Sequence, residues 1–217
     1  MGLEALFYKI REIGKELARC DSDCKGIFKD PENGVLPRGP ILEGKEKGEL
    51  SCIIVGLNPG RCNEKRELKG DPTYDRFLKL WEDHIKGIPY YRRARDLAKD
   101  IGYTGAILWT DLCKCENKEG AKGVPIETLA YCFRKYLIRE VEVAEEFAGE
   151  VPIIALGRVV FSSLCFAFPD RFIIGVPHPT GVYNRFKEVK AKKLKRIIEE
   201  AKREKKNIIE YFPKKRK

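Results

Sequence analysis

Four short apolar runs divide the chain. They are Ser51–Leu57, Gly105–Leu112, Val151–Gly157 and Arg171–Pro177. Each run is nearly continuous in apolar residues, many of them β-branched, as expected of strands that are buried on both faces of a sheet. The pattern therefore predicts a central four-stranded parallel sheet.

Segments of helical periodicity precede, separate and follow these runs. They are Leu3–Ala18, Thr73–Ile85, Tyr90–Ile101, Ile126–Phe147, Arg158–Phe166 and Phe186–Lys206. Because strands and helices alternate, we expect an α/β protein with helices on both faces of the sheet, in a three-layer α/β/α arrangement. Residues Lys25–Glu49 are rich in Gly, Pro and charge, so a long loop is predicted there.

Polar residues follow three of the predicted strands at the point where each strand ends. Asn58 follows the first strand, Asp111 lies at the end of the second, and His178 follows the fourth. The carboxyl ends of parallel strands meet at one edge of a sheet, and ligands bind outside that edge. The sequence therefore predicts a polar site formed by these three residues.

The positive charge is concentrated in the C-terminal segment. From Arg185 to Lys217 there are 15 Lys and Arg but 5 Asp and Glu, so this segment accounts for the whole net charge of +10. A basic stripe of this kind suits contact with a polyphosphate; the alternative is a solvated helix face with a disordered tail. We expect residues 1–184 to form an α/β domain and residues 185–217 to add a basic helix and tail to that domain.

The first residues and the composition indicate an intracellular protein. The start, MGLEALFYKIREIGKELARC, has the pattern of an amphipathic helix and not of a secretory signal. No apolar stretch reaches transmembrane length. The chain has no Gln, one Met and abundant Lys and Glu, which is typical of thermophiles. We expect a cytoplasmic monomer that does not associate with membranes.

Eight cysteines form the least ordinary part of the composition. Cys20 and Cys24 are four residues apart, whereas Cys115 and Cys132 are seventeen apart. Four thiolates without a histidine suit a zinc site or an iron–sulfur cluster, and the single close pair favours a cluster. Disulfides inside a hyperthermophile and eight unrelated core cysteines are the alternatives. Cys52, Cys62, Cys113 and Cys165 are expected to be buried small hydrophobic residues.

Several motifs together resemble those of the uracil-DNA glycosylase superfamily. GLNPG (Gly56–Gly60) and HPTG (His178–Gly181) resemble its two active-site motifs. Between them, TDLCKC (Thr110–Cys115), then Cys132 and IIALG (Ile153–Gly157), resemble the iron–sulfur type of these enzymes. The resemblance extends over most of the chain and implies the glycosylase fold.

The resemblance implies a monofunctional DNA glycosylase that acts in base excision repair. It would flip a deaminated or modified base, uracil or a related one, out of the DNA and hydrolyse the N-glycosidic bond. Asn58 would hold the attacking water, and His178 would donate a hydrogen bond to O2 of the base. The other implied contacts are Gly56, Leu57, Asp111 and a stacking Tyr74 at the base, Gly181, Val182 and Tyr183 as a wedge in the base stack, and Arg185 at phosphates. The alternative for Tyr74 is packing in the core beside Phe77.

A structural four-iron, four-sulfur cluster is also implied by the resemblance. Its ligands would be Cys20, Cys24, Cys115 and Cys132, and it would pin the N-terminal helix to the rest of the domain. Three residues separate the first two cysteines, where the family usually has two. The expected partner is DNA that contains a damaged base, and a sliding clamp is a candidate protein partner for the basic tail.

The first motif departs from the iron–sulfur type at two positions. Members of that type usually carry an acidic residue and Ala or Gly where this chain has Leu57 and Asn58. The Asn-Pro-Gly sequence is similar to the mismatch-specific and single-strand-selective branches of the superfamily. The motifs are therefore a mixture of more than one branch.

Asp111 stands where the family has an asparagine that reads the base. That asparagine accepts from uracil N3–H and donates to O4, whereas an ionised aspartate can only accept. Either burial keeps Asp111 protonated, so that it mimics asparagine, or the pocket prefers a base that presents an amino group. The alternative is that Asp111 caps a turn or pairs with a lysine.

Two functions of other classes are also compatible with the sequence. The first is a non-catalytic iron–sulfur nucleic-acid-binding protein with a glycosylase-like fold, which the departures at Asn58 and Asp111 allow. The second is a cysteine-rich electron-transfer or zinc protein with a fortuitous Asn-Pro-Gly turn. Base cleavage and metal content would distinguish the three.

Overall fold

The computed structural model describes residues 2–60, 68–69, 73–118, 123–180 and 185–213. Cys62 and the three wedge residues Gly181, Val182 and Tyr183 lie outside these ranges. The roles that the sequence predicts for them therefore stay predictions.

Seven α-helices and eight strands make up the described part of the chain. The helices are α1 (Leu3–Ala18), α2 (Tyr74–Asp83), α3 (Pro89–Asp100), α4 (Ile126–Cys132), α5 (Ile138–Ala148), α6 (Arg158–Ala167) and α7 (Ala191–Arg203). The strands are β1 (Ile27–Phe28), β2 (Ile41–Glu43), β3 (Leu50–Gly56), β4 (Ala106–Asp111), β5 (Glu116–Asn117), β6 (Ile153–Leu156), β7 (Ile173–Val176) and β8 (Ile208–Glu210).

A mostly parallel central sheet runs through the protein in the order β2-β4-β3-β6-β7-β8. The four predicted strands are its four inner strands, and they are mutually parallel. The sheet has six strands and not four, because β2 adds an antiparallel edge and β8 a parallel one. Each of these edge strands has three residues, too few for a periodicity to appear. The predicted loop 25–49 is wrong to that extent, since it contains β1 and β2.

The predicted helices are present with small changes in their bounds. The long helix predicted over 126–147 consists of α4, a π-helical turn at Phe133–Leu137, and α5. The last predicted helix is divided into a 3₁₀ turn at Arg185–Glu188 and α7. No helix in the described ranges is long and apolar enough to cross a membrane.

Helices flank both faces of the sheet and bury one apolar cluster on each. Alternate residues of a strand point to opposite faces, so Ile54 joins the cluster under α2, α3 and α7, whereas Ile53 and Val55 join the cluster under α1, α5 and α6. Because α7 and β8 belong to these layers, residues 191–210 complete one side of the sheet.

Candidate functional site

Asn58, Asp111 and His178 line one cavity of about 560 Å³. Asp111 is the last residue of β4, Asn58 lies two residues beyond β3, and His178 lies two residues beyond β7. The cavity therefore lies at the carboxyl edge of the parallel strands, where the sequence predicts it. Three residues far apart in the sequence are brought together here by the sheet.

The His178 side chain is held as a neutral hydrogen-bond donor. Its Nδ1 accepts from the backbone N–H of Thr180 at 3.3 Å, which leaves the proton of a neutral imidazole on Nε2. Burial lowers the pKa of His178. The loop that carries it is tied to α3, because Arg93 donates to the carbonyl of Pro179 at 2.8 Å.

The Asn58 side chain is oriented by the chain that follows β4. Its Nδ2 donates to Oδ1 of Asn117 at 3.2 Å and to the carbonyl of Cys115 at 3.5 Å. With these donors engaged, the amide oxygen of Asn58 is the atom that can accept a hydrogen bond from a water in the cavity. Asn117, which the sequence did not single out, also lines the cavity.

Gly56 allows the polar groups of the cavity to approach the sheet closely. It lies opposite Asp111 in the parallel β3–β4 pair. A Cβ at this position would lie 2.6 Å from the Tyr90 hydroxyl oxygen and closer still to Oδ1 of Asp111. Only glycine leaves room for both side chains, so Gly56 shapes the recess beneath the cavity.

Tyr90 is an aromatic residue of the cavity that sequence reasoning missed. Its ring centroid lies 5.1 Å from that of His178. Burial raises the pKa of Tyr90 well above its usual value, and the charge of Asp111 raises it further. Its position at the start of α3 could have indicated this role, because that helix begins at the carboxyl edge of the sheet.

Tyr74, predicted to stack on a base, lies in the core. It is 3% exposed, its ring fills the space over Gly14 and Gly39, and its hydroxyl donates to the carbonyl of Pro40. The sequence prediction of a stacking role does not agree with this position, whereas the alternative of packing beside Phe77 does.

Leu57 and Arg185 are also separate from the residues identified around the cavity. Leu57, predicted to contact a base, packs against the cluster under α1, α5 and α6. Arg185 begins the 3₁₀ turn that precedes α7. Behind it, α7 exposes Lys192, Lys193, Lys195 and Arg196. This basic surface is suited to phosphates.

Arg38 is a further residue of the cavity that the sequence did not reveal. It is 8% exposed, lies in the segment predicted as loop, and donates through Nη1 to the hydroxyl of Tyr91. Its guanidinium carbon lies 5.8 Å from the ring centroids of both Phe77 and Tyr91. Its neighbours Pro37, Gly39 and Pro40 indicate a turn in the chain but not a position beside the cavity.

Five cysteines lie together beside the cavity; we call Cys20, Cys24, Cys113, Cys115 and Cys132 the cysteine region. Burial raises the pKa of Cys115 to about 12, with contributions from the sulfurs of Cys132, Cys20 and Cys24. The four predicted ligands therefore lie within electrostatic reach of one another. Cys113, predicted to be a buried core residue, is fully buried, and its Sγ donates to the carbonyl of Cys115 at 3.8 Å. Its interaction with Cys132 lowers the pKa of the Cys132 thiol to about 6. None of the seven described cysteines forms a disulfide.

The chemistry of this region fits a thiolate-bound metal centre. The described residues contain no group of three or more His, Cys, Asp or Glu side chains already arranged as a metal site. Burial raises the pKa values of Cys24 and Cys115 and the charge of Lys29 opposes this rise, while the same charge contributes to the lowered pKa of Cys20. Four thiols are the donor set of an iron–sulfur centre, and a nearby positive charge favours their thiolate form.

A buried ion pair contacts Thr110, which lines the recess beneath the cavity, and lies within electrostatic reach of Cys132. Lys114 and Glu140 are 1% and 0% exposed in their side chains, and Nζ of Lys114 lies 2.7 Å from Oε2 of Glu140. The hydroxyl of Thr110 lies 2.5 Å from each of these atoms. Sequence reasoning missed this triad, although Thr110 and Lys114 flank Asp111.

Residues 111–118 connect the cavity with the cysteine region. They begin at Asp111, pass through Cys113 and Cys115, and return to the cavity at Asn117 and Lys118, which both line it. Strand β5 within this segment pairs with β1, the strand that follows Cys24. The same eight residues therefore contribute side chains to both regions.

The fold and the cavity together define a class: a mixed α/β protein with a polar cavity at the carboxyl edge of its parallel strands, next to a group of cysteines. Comparison with protein-family models gives no match, and comparison with curated proteins gives no significant match. The function is therefore inferred from the chemistry of the site.

Proposed function

We propose that this protein is a monofunctional DNA glycosylase, related in fold to the uracil-DNA glycosylases, that excises a deaminated or modified base. The proposal is supported above all by the shared cavity, because Asn58, Asp111 and His178 come from three separate strand ends and line it together. The helices on both faces of the sheet support the three-layer α/β/α arrangement that this fold requires.

Hydrolysis of the N-glycosidic bond needs a positioned water and a stabilised leaving base. The oxygen of water forms a bond to the sugar carbon C1′, the C1′–N bond breaks and its electron pair leaves with the base, and one proton of the water passes through solvent to the departing base anion. In the proposed mechanism the amide oxygen of Asn58 accepts a hydrogen bond from this water and fixes its position. Positioning is the main requirement, because the sugar already resembles an oxocarbenium ion when the water attacks.

Negative charge develops on the departing base and must be met by hydrogen-bond donors. Nε2–H of neutral His178 would donate to a base carbonyl. The lowered pKa of His178 supports this role, since the imidazole is then neutral at pH 7 and still carries one N–H. Tyr90, beside His178, would pack against the flipped base.

The proposed function includes a structural iron–sulfur cluster held by Cys20, Cys24, Cys115 and Cys132. When bound, this group would hold the N-terminal segment against residues 111–118. The basic surface of α7 would contact phosphates, and the affinity for DNA would then fall steeply with salt.

A cleavage panel tests the proposal. Pure protein is incubated with duplex and single-stranded oligonucleotides that each carry uracil, hypoxanthine, xanthine, thymine opposite guanine, or a modified cytosine, and alkali reveals abasic sites. We expect cleavage at one or more of these bases and a loss of about 100-fold or more for Asn58→Ala. The matched control is Asn207→Ala, an exposed asparagine beyond the opposite edge of the sheet. DNA binding without cleavage of any base would favour the non-catalytic nucleic-acid-binding protein.

A further inference from the structure

A carboxyl group and a guanidinium group at the inner end of the cavity have no role in the proposed mechanism. Asp111 and Arg38 both line the cavity, and both line a narrow recess beneath it that also touches Gly56, Tyr90 and Tyr91. Burial raises the pKa of Tyr90, the charge of Asp111 raises it further and the charge of Arg38 lowers it. Both side chains therefore border the recess that Tyr90 also lines.

Arg38 is fixed at this position by several contacts. Its backbone N–H donates to the carbonyl of Lys114 at 2.6 Å, and its guanidinium group donates to Tyr91. Tyr74 supports the same segment through its bond to Pro40. A guanidinium held in this way loses little rotamer freedom when a ligand binds.

The sheet topology gives the order of these groups along the cavity. Arg38 precedes β2, Asp111 ends β4 and His178 follows β7, and the sheet order is β2-β4-β3-β6-β7. Strand β2 pairs with β4 so that Ile41 lies opposite Trp109. Two further steps along this antiparallel ladder bring Gly39 level with Asp111 and Arg38 just beyond it. Asp111 therefore lies between Arg38 and His178.

We propose that Arg38 is a specificity-determining residue that acts together with Asp111. The three groups present a donor, an acceptor and a donor in that order: His178, Asp111 and Arg38. This order matches an imide edge, in which an N–H lies between two carbonyl oxygens. Cytosine presents a ring acceptor and an amino group instead, so it would leave both Asp111 and Arg38 mispaired.

The inference rests on the proposed function and accounts for an aspartate at this position. An ionised carboxylate accepts from the imide N–H but cannot donate to the carbonyl beside it. Arg38 supplies that missing donor, so Asp111 needs no proton to read an imide. A charge-assisted pair of this kind also rejects the wrong edge strongly, because each unpaired buried charge is costly.

A double-mutant cycle tests this role. Cleavage of a uracil-containing oligonucleotide is measured under single-turnover conditions for the wild type, Arg38→Met, Asp111→Asn and the double variant. We expect Arg38→Met to slow cleavage about 10- to 100-fold when residue 111 is aspartate. The same change should cost less than about threefold when residue 111 is asparagine, because asparagine donates to the carbonyl itself. An equal loss in both backgrounds would mean that Arg38 has only a structural role and would overturn the inference.

Binding of free bases separates this inference from the proposed function. If no base is cleaved, the glycosylase proposal fails, but the cavity can still be tested by thermal stabilisation with free uracil, 3-methyluracil and cytosine. We expect uracil alone to stabilise the wild type, and Arg38→Met to remove that effect only when residue 111 is aspartate. Wild-type protein that shows no preference for uracil would overturn the inference. Unchanged circular dichroism of Arg38→Met is the control for folding.

Discussion

The cavity and the cysteine region share residues 111–118 but are organised by different kinds of contact. The cavity is built on strand ends whose positions are fixed by a six-stranded hydrogen-bonded sheet. The cysteine region is joined by the two-residue pairing of β1 with β5 and by a bond from Thr128 Oγ1 to the carbonyl of Lys25 at 2.9 Å. The cavity is thus a product of the sheet, whereas few main-chain bonds join the segment of Cys20 and Cys24 to residues 111–118: the β1–β5 pairing and a bond from the Lys118 N–H to the carbonyl of Gly26.

This difference indicates what each region needs in order to keep its shape. Strand ends in a buried sheet remain in place as long as the domain is folded. Segments with few backbone bonds are the first to open unless a ligand holds them. We therefore expect removal of a bound metal to loosen the cysteine region and to leave the cavity intact. Variants in each region, and in the residues they share, can test this separation.

Cys115→Ser should abolish metal binding, because it removes one of four proposed thiolate ligands. We expect iron and sulfide, measured per chain after anaerobic purification, to fall to near zero. The matched control is Cys165→Ser on α6, a partly buried cysteine outside the cysteine region, which should retain the metal. Zinc in place of iron and sulfide would contradict the proposed cluster.

The same variant shows whether the two regions are separable. Trp81 and Trp109, the two tryptophans of the chain, both line the recess under the cavity. If the sheet organises the cavity, the tryptophan fluorescence of Cys115→Ser should equal that of the wild type, while amide exchange rises near residues 19–30. A shifted emission spectrum would mean that the metal also shapes the cavity.

Glu140→Ala should damage both regions at once. It leaves the ammonium group of Lys114 buried without its carboxylate, and breaking a buried pair in this way costs about 3–5 kcal/mol. Lys114 lies within residues 111–118, so both the cavity and the cysteine region lose their common support. Chemical denaturation gives the free energy of unfolding, and the control is the exposed Glu142→Ala on the same helix, for which we expect a change within about 0.5 kcal/mol.

A double variant distinguishes the effect of an unpaired buried charge from the effect of lost side-chain packing. Replacing both partners, Lys114→Met with Glu140→Leu, should recover most of the lost stability, because two apolar side chains of similar volume remove the uncompensated charge. If the double variant is no more stable than Glu140→Ala, packing and not the buried charge is responsible.

Gly56→Ala should disturb the cavity and spare the cysteine region. The added methyl group would overlap with Asp111 and Tyr90, and overpacking of this kind costs about 1–3 kcal/mol. We expect cleavage or base binding to be lost while the iron content stays at the wild-type level. Gly87→Ala is the control, since a Cβ there meets nothing within 4 Å. Loss of iron in Gly56→Ala would show that the two regions are coupled through the strand ends.

The sequence alone predicts the inner strands of the sheet and the three polar residues that converge at their ends. Strands buried on both faces are continuous apolar runs, and the residues just beyond parallel strands meet at one edge of the sheet, so no long-range pairing had to be known. The stacking role predicted for Tyr74 does not agree with its place in the core, whereas the alternative of core packing does. Its spacing from Phe77 and Trp81, three and seven residues, is that of one buried helix face. Helical periodicity therefore predicts the position of Tyr74 better than the resemblance does.

Arg38 could not be located from the sequence for a different reason. Its place in the cavity depends on the antiparallel pairing of β2 with β4, between segments more than sixty residues apart. A three-residue edge strand has no periodicity of its own, and the Gly, Pro and charged residues of the segment predict a loop. The proximity of Cys113 to Cys132 likewise depends on how α4 packs beside residues 111–118.

The smallest expected effect is a dependence of stability on pH that arises from His178. Because burial lowers its pKa in the folded protein, the unfolded chain binds a proton first as the pH falls. Above the unfolded value of about 6.5 both states are neutral and His178 contributes nothing. Below that value the unfolded state is favoured, and stability is lost until the pH has passed through the lower folded pKa.

His178→Asn should remove this part of the pH dependence between about pH 8 and pH 5, measured as denaturation midpoints. His84→Asn, at the exposed second histidine of the chain, should retain it. Identical pH profiles for the wild type and His178→Asn would mean that the imidazole is as solvated in the folded protein as in the unfolded chain, and a cavity so open to water would be a poor site for a neutral donor.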